Sequence, residues 1–287
     1  MRFVLCILYY AFMLLTLNSE LMPPISLFSQ SLFALPLMDA IPVAAQAGYT
    51  AIELACTAPH FDLETAQREP ERVAEHIRQY DLTVSALSLF SRFTEADTIE
   101  EQIAAAETYI RLAPLFDTSI VKIAPGPPGS VEATNAHWIL FQQALDHLIP
   151  LAEEVGVRLA CETHMRQLTD TLTSTQRLLE MADSDTLGLT VDFSNMMFAR
   201  ENMEDVFAAL SPRMYNTHVK NGLIDAGGDW CFLPLDTGWT DYTEVCRLLK
   251  SSDYGGYITV ECLGTDARNQ PVETVQRDLG ILKQYLS

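Results

Sequence analysis

Residues 157–164 read VRLACETH, an apolar run that ends at Glu162. Continuous apolar character without alternation is typical of a parallel β-strand that is covered on both faces. Three later runs end in the same way, in Asp192 after LGLTV, in His218 after MYNT and in Glu261 after YITV. Four potential metal ligands therefore follow directly on four predicted strands.

Four earlier runs have the same apolar character, namely ISLF from residue 25, TAIELA from 50, LTVSALS from 82 and TSIVKIA from 118. Helical segments follow the eight runs, and eight such βα units need about 250 residues. A chain of 287 residues is long enough for them. No stretch resembles the G-x-G-x-x-G turn of an open doubly wound sheet. The sequence therefore predicts an α/β fold, a single-domain (β/α)₈ TIM barrel.

Three of the predicted helices have recognisable patterns. The helix after Pro271 has an apolar face at 4-3-4 spacing, made of Val275, Leu279, Leu282 and Leu286. The helix that Pro70 opens has an apolar face made of Val73, Ile77 and Tyr80. Thr98 followed by Glu101 predicts a capping box at the start of another helix.

The chain is strongly acidic, with 18 basic and 38 acidic residues and a net charge of −20. This charge repels the phosphate groups of nucleic acids and of anionic membranes, so neither is predicted as a partner. None of the six cysteines forms a C-x-x-C pair, and several lie in predicted buried strands. This pattern favours reduced thiols and a reducing compartment. The sequence leaves a homo-oligomer open.

Residues 1–21 differ from the rest of the chain. Arg2 precedes a long apolar run, which has the length of a signal-peptide core and is short for a membrane span. The small residues of a cleavage site are missing near Ser19, which favours the alternative of a mis-called gene start with translation from Met22. The barrel is assigned to residues 22–287. The predicted location is cytoplasmic, or exported or anchored if residues 1–21 are a genuine signal.

The strand-end residues predict a metal site. In a parallel barrel the active site lies at the carboxyl ends of the strands, where Glu162, Asp192, His218 and Glu261 should converge. A single carboxylate at a strand end is usually a helix cap or a solvated loop residue, but three converging carboxylates repel one another unless a cation neutralises them. One divalent ion is predicted because the ligands are mostly oxygen, with Mn²⁺ favoured and Mg²⁺, Co²⁺ or Zn²⁺ as alternatives.

The strand-end set resembles a known family. The order Glu, Asp, His, Glu, with E-T-H from Glu162 and H-V-K from His218, is similar to the xylose isomerase-like barrel superfamily of sugar isomerases and epimerases. GYTAIEL and PLDTGWTDY add to the likeness, which covers nearly the whole chain from residue 25. It implies a metal-dependent isomerase or epimerase of a small ketose or keto-polyol, acting by α-proton abstraction through a metal-stabilised enediolate. Glu162 and Glu261 would be both metal ligands and the acid and base.

Three positions depart from the ketohexose 3-epimerase branch of that family. The branch has a histidine, an arginine and a glutamate where this chain has Asn195, Ile224 and Leu168. Lys220 is the residue type that relatives acting on keto-inositols use to polarise a substrate oxygen or to donate a proton. The alternative function is therefore a metal-dependent lyase of the same fold. Such an enzyme would be a keto-inositol dehydratase or would eliminate the glycone from a 3-keto-glycoside.

The substrate-binding candidates follow predicted strands or lie in the insertion 221–239, and they are His60, His164, Asn195 and Trp230. Each has a structural alternative: His164 could orient Glu162, and aromatic residues such as Trp230, Phe232 and Trp239 are more often core. A DNA-repair endonuclease would need several metal ions and a basic groove, which this acidic chain lacks. A non-catalytic sugar-binding barrel would have no need of three converging carboxylates.

Overall fold

The structure of the protein, a computed structural model, describes residues 23–252 and 254–287. The predictions made for residues 1–21, the signal-like segment and its gene-start alternative, lie outside the described residues. Within the described part of the chain, no helix is long and apolar enough to cross a lipid bilayer.

Eight parallel strands close into a barrel. They are β1 (Ile25–Phe28), β2 (Ala51–Ala55), β3 (Thr83–Ser88), β4 (Ile120–Ile123), β5 (Arg158–Glu162), β6 (Leu187–Asp192), β7 (Met214–Val219) and β10 (Ile258–Val260), while β8 (Asn221–Ile224) and β9 (Trp230–Leu233) form a separate hairpin. The order around the barrel is β1-β10-β7-β6-β5-β4-β3-β2. Each barrel strand lies within one of the eight apolar runs of the sequence. The predicted single-domain (β/α)₈ fold is therefore confirmed.

Helices follow the barrel strands along the chain. They are α1 (Leu37–Ala47), α2 (Leu63–Arg68), α3 (Pro70–Gln79), α4 (Ile99–Leu112), α5 (Asn135–Val155), α6 (Leu172–Met181), α7 (Phe193–Phe198), α8 (Met203–Leu210), α9 (Tyr242–Ser251), α10 (Gly264–Asn269) and α11 (Pro271–Leu286). The predicted stripe on α11 is confirmed, since its four residues are each at most 3% exposed. The prediction for Tyr80 is wrong: α3 ends one residue earlier, and the Tyr80 side chain is exposed.

The predicted capping box at Thr98 is also wrong. Thr98 does precede α4, but its backbone has φ −123° and ψ 0°, outside the extended conformation that N-cap residues usually adopt. Its Oγ1 is buried and makes no hydrogen bond within the described residues. The amide of Glu101 is therefore not capped by this side chain.

Strand register places the predicted ligands on one rim of the barrel. In the β6–β7 ladder Asp192 lies opposite His218, and in the β5–β6 ladder Glu162 lies opposite Thr190. Glu261 follows β10 directly, and its backbone N–H donates to the carbonyl of Val219 at 2.9 Å. The carboxyl ends of β5, β6, β7 and β10 therefore carry all four side chains.

The insertion 221–239 begins with the antiparallel hairpin of β8 and β9, whose strands the sequence did not predict. The two strands approach closely at Gly222, where an added Cβ would lie 2.4 Å from the carbonyl oxygen of Cys231. The Asn221 side chain anchors the hairpin, since its Nδ2 donates to the carbonyl of Leu235 at 2.8 Å. The hairpin is therefore fixed to the segment that leads into α9.

Candidate metal centre

Four buried side chains meet at the carboxyl rim of the barrel, and they are Glu162, Asp192, His218 and Glu261. One ligand atom from each lies within 4.8 Å of the others. None of the four residues is more than 5% exposed. The structure thus brings together the four residues that the sequence proposed as metal ligands.

One ring nitrogen of His218 is hydrogen-bonded to a protein side chain, and the other is not hydrogen-bonded within the described residues. Its Nε2 lies 2.8 Å from Oε1 of Glu53, and it donates there because an ionised carboxylate can only accept. Its Nδ1 has no hydrogen-bond partner among the described residues and lies 3.5 Å from Glu162 Oε1 and 3.8 Å from Glu261 Oε2. Burial lowers the pKa of His218, but the charges of Glu53 and Glu162 raise it to about 10. Nδ1 therefore holds a proton in the metal-free protein, and a bound cation would displace that proton.

The carboxylates of the cluster differ in their electrostatic surroundings. Burial opposes ionisation of Glu162, but the charges of Lys122 and His218 hold the pKa of Glu162 well below its usual range. Burial raises the pKa of Asp192, and the charge of Lys220 does not cancel this effect because two other carboxylates stand beside it. The open Nδ1 of His218 among these oxygen atoms fits a divalent cation.

Two buried lysines pair with the cluster. Lys122 on β4 donates to Glu162 Oε2 at 2.5 Å. Lys220, just after β7, places its Nζ 2.7 Å from Glu261 Oε2 and 2.8 Å from Asp192 Oδ2. Burial would lower the pKa of both ammonium groups, but the neighbouring carboxylates raise it, so both lysines are charged. Each glutamate of the centre therefore has a proton donor within hydrogen-bonding distance.

A cavity of about 500 Å³ opens beside the cluster, a volume typical of small-molecule sites. Five of the sequence-predicted residues line it, namely Glu162, His164, Lys220, Trp230 and Glu261. Phe232 on the hairpin also lines the cavity, whereas Trp239 does not. The hairpin thus contributes an aromatic wall.

Two proposed substrate-binding residues do not line this cavity. The ring of His60 faces the segment after β1, where its Nε2 lies 3.2 Å from the Leu35 carbonyl and its edge packs against Phe33. Burial lowers the pKa of His60 to about 4. Asn195 is fully buried in α7, and its Nδ2 donates to the carbonyl of Thr163 at 2.9 Å. Both side chains therefore hold loops of the rim in place.

Of three further positions that the sequence analysis named, one lines the cavity and two do not. His164 is half-buried in the cavity wall, and its Nδ1 lies 2.8 Å from the carbonyl of Met165. Leu168 is completely buried, and Ile224 lies on the hairpin. Neither Leu168 nor Ile224 lines the cavity.

The family description "xylose isomerase-like TIM barrel" matches residues 41–285 of the chain. The chain belongs to this family.

A curated relative, the 3-dehydroshikimate dehydratase of Bacillus anthracis, is 23% identical over 245 residues, which are 80% of this chain and 87% of the relative. Two solved structures share the barrel. An L-ribulose 3-epimerase has a TM-score of 0.76 and 18% identity, covering 92% of this chain and 95% of its own. The IOLI protein, solved with a zinc atom, has a TM-score of 0.80 and 16% identity. The match covers 92% of this chain and 98% of the IOLI chain.

The sequence analysis missed two residues of this candidate site. Glu53 is completely buried in β2 and accepts hydrogen bonds from Ser88 Oγ at 2.6 Å and Asn216 Nδ2 at 2.8 Å, in addition to that of His218. Lys122 is buried in β4. A single charged residue inside a continuous apolar run, as in TAIELA and TSIVKIA, is the signal that could have found both.

Proposed function

We propose that this protein is a metal-dependent lyase that removes the proton α to the carbonyl of a small polyhydroxylated ketone and eliminates water. The sequence favoured an isomerase or epimerase and kept this lyase as its alternative. The observation that carries the proposal is Lys220, a buried ammonium group in the cavity wall within 2.8 Å of both Asp192 and Glu261. The dehydratase among the relatives supports it.

Glu162, Asp192, His218 and Glu261 would hold the metal. A divalent cation there would act as a Lewis acid toward the substrate carbonyl and lower the cost of the charge that develops when the α-proton leaves. Three carboxylates and one imidazole suit Mn²⁺, with Mg²⁺, Co²⁺ and Zn²⁺ as alternatives. The zinc atom of the IOLI structure supports a divalent ion in this fold.

The protein side chains supply the proton transfers. Glu261 takes the α-proton, the electron pair of the C–H bond forms a carbon–carbon double bond, and the β C–O bond breaks. Lys220 Nζ protonates the departing hydroxide, which leaves as water. Glu261 then returns its proton to Lys220 across the 2.7 Å contact, so both groups recover their starting state.

Lys220→Met tests the reaction type. The protein, loaded with Mn²⁺, is assayed against ketoses, keto-inositols, 3-keto-glycosides and polyhydroxylated keto acids, with exchange of substrate protons into D₂O and formation of the unsaturated ketone followed by NMR. We expect the variant to keep exchange while dehydration falls by about 10²–10⁴-fold, because the acid is lost while the base, Glu261, remains. Lys250→Met, on the exposed face of α9, is the matched control and should behave as wild type.

An epimerase is the second candidate, because two glutamates, Glu162 and Glu261, line the cavity and could act as base and acid. A new stereoisomer without an unsaturated product would support this candidate. An unchanged rate of stereoisomer formation in Lys220→Met would do the same, whereas unchanged dehydration in that variant would remove Lys220 as the acid of the proposed lyase. Glu162→Gln and Glu261→Gln would then separate the two roles, since one variant should still exchange the α-proton without completing the reaction.

A further inference from the structure

We infer that the substrate carries an oxyanion, a carboxylate or phosphate group, that is bound by Arg166, with Arg92 lining the same cavity. This inference rests on the proposed function in taking the same cavity as the substrate site. It adds the chemical class of the substrate, an anionic polyhydroxylated compound.

The cavity concentrates positive charge in an otherwise acidic protein. Of 18 lysines and arginines in a chain with a net charge of −20, four line this cavity, namely Arg92, Lys122, Arg166 and Lys220. The two lysines are neutralised by the carboxylates of the metal centre. Arg166 has no such carboxylate partner within the described residues, and positive charge in a cleft attracts anionic ligands.

Arg166 is held in an uncommon conformation without a carboxylate partner. Its φ is +59°, in the left-handed region that costs a residue with a side chain about 1 kcal/mol or more. The guanidinium carbon lies 4.1 Å from the ring centroid of Trp230, and no ion pair to Arg166 is found within residues 23–252 and 254–287. Stacking covers a face of the guanidinium and leaves its N–H edge for an oxyanion, which it can bind in a bidentate manner.

The loop after β4 holds both arginine-bearing loops together. An added Cβ on Gly126 would lie 2.8 Å from Arg92 Cα, and one on Gly129 would lie 3.5 Å from Arg166 Cα. The Gly126 N–H also donates to Gln167 Oε1 at 2.9 Å. The backbones at Arg92 and Arg166 therefore pack against the same short segment, which places the two arginines on the same side of the cavity.

The two arginines differ in their availability. Arg92 forms an ion pair with Glu95 at 2.6 Å, so it supports the site mainly through its charge. Arg166 has its guanidinium oriented by Trp230 of β9. Arg166 is therefore the residue that binds the anion, and its stacking links the loop after β5 to the hairpin.

A second arginine provides a matched control. Arg200 also has a positive φ, of 63°, and its guanidinium carbon lies 3.6 Å from the ring centroid of Trp239. Neither Arg200 nor Trp239 lines the cavity. Replacing Arg200 removes the same kind of stacked arginine from the surface, with no expected effect on a ligand in the cavity.

The test compares three probes of similar length by isothermal titration calorimetry on the Mn²⁺-loaded protein. D-Gluconate carries a carboxylate, D-glucitol 6-phosphate carries a phosphate, and D-glucitol is neutral. We expect at least one anionic probe to bind about tenfold more tightly than D-glucitol, and the stronger of the two identifies the oxyanion. Arg166→Gln should reduce this preference to less than about twofold. Arg166→Lys should keep part of it, and Arg200→Gln should keep all of it.

Three results would overturn the inference. The first is equal or undetectable binding of all three probes to the wild-type protein. The second is an anion preference that persists in Arg166→Gln, since the metal or the lysines would then bind the anion. The third is an equal loss in Arg166→Gln and Arg200→Gln, as a general structural effect would cause. Binding does not depend on turnover, so a failure of the dehydratase proposal would be seen separately in Lys220→Met.

Discussion

Glu53 positions the imidazole ring of His218. Its carboxylate lies behind the His218 ring, and the 2.8 Å contact to Nε2 fixes both the tautomer and the orientation of the imidazole. Ser88 and Asn216 hold the same carboxylate from two other strands. The ring is therefore positioned before any metal binds, which lowers the entropic cost of forming the site.

Glu53→Gln should weaken metal binding. The amide can still accept from Nε2 but lacks the negative charge that makes the imidazole a better ligand, so we expect the affinity for Mn²⁺ to fall by about 10–100-fold. Competition with a fluorescent chelator measures the change. Asp278→Asn, which removes a buried carboxylate on α11 that is not part of the cluster, is the control. Equal affinities for Glu53→Gln and wild type would show that Glu53 has no such role.

The sequence located the four clustered residues but not the buried residues that hydrogen-bond to them. Asp192 and His218 could be found because residues that end parallel strands must share one rim, whatever their distance along the chain. The partner of His218 could not be identified in this way, because Glu53 is 165 positions away in the sequence and lies inside a strand. Which buried groups meet across the barrel depends on register and on side-chain direction. Neither is encoded in the local pattern.

At the scale of the elements, strands were easier to predict than the segments between them. Continuous apolar runs marked all eight barrel strands because both faces of each are buried. The hairpin of β8 and β9 was missed because WCFL and NGLI are short and form a two-stranded sheet of their own. The capping box at Thr98 failed because the motif specifies residue types and not the backbone angles that capping needs.

Gly222→Ala should open the hairpin. The added methyl group would lie 2.4 Å from the Cys231 carbonyl, so the two strands would have to separate. We expect faster cleavage by proteinase K within residues 225–229 and weaker binding of any ligand that contacts Trp230. Gly280→Ala on α11, where an added Cβ meets no atom within 4 Å, is the matched control. That control should stabilise the protein by about 0.5–1 kcal/mol. Unchanged cleavage of Gly222→Ala would contradict this account of the hairpin.

The turn after β2 should make stability sensitive to acid. His60 has a pKa of about 4 in the folded protein against 6.5 as its ordinary value, because burial opposes its charged form. The unfolded chain therefore takes up this proton first, and the free energy of unfolding falls as the pH drops from 6.5 to 4, by about 3 kcal/mol in total. Urea denaturation of wild type and His60→Gln at several pH values measures the difference, since other titrating groups are common to both. Parallel pH profiles would rule out this contribution.

At the scale of the whole molecule, the proposed metal site joins strands from one half of the barrel. Its proposed ligands come from β5, β6, β7 and the residue after β10, and β10 is hydrogen-bonded to β1, which closes the barrel. A cation bound there ties the strands of the second half of the chain to one point. It also relieves the repulsion among three buried carboxylates, and a ligand that binds only the folded state stabilises it by mass action.

Added Mn²⁺ should therefore raise the melting temperature. At a free concentration one hundred times the dissociation constant, the stabilisation is about 2.7 kcal/mol, which corresponds to about 5–10 °C for a domain of this size. Asp192→Asn and His218→Ala should lose the shift and the bound metal while remaining folded. His147→Ala, exposed on α5, should keep both. Full metal occupancy in the two ligand variants would remove the assignment of the centre.

The exposed thiol of Cys231 lies on the hairpin between two residues of the cavity wall, Trp230 and Phe232. Burial raises the pKa of the other described thiols, Cys56, Cys161, Cys246 and Cys262, which keeps them protonated at neutral pH. Among these five cysteines, a thiol-reactive fluorophore should therefore attach first at Cys231. The dye would then sit beside an indole ring that can quench it, and its brightness would report the position of the hairpin. Candidate ligands could be screened by this optical signal before the chemical reaction is known.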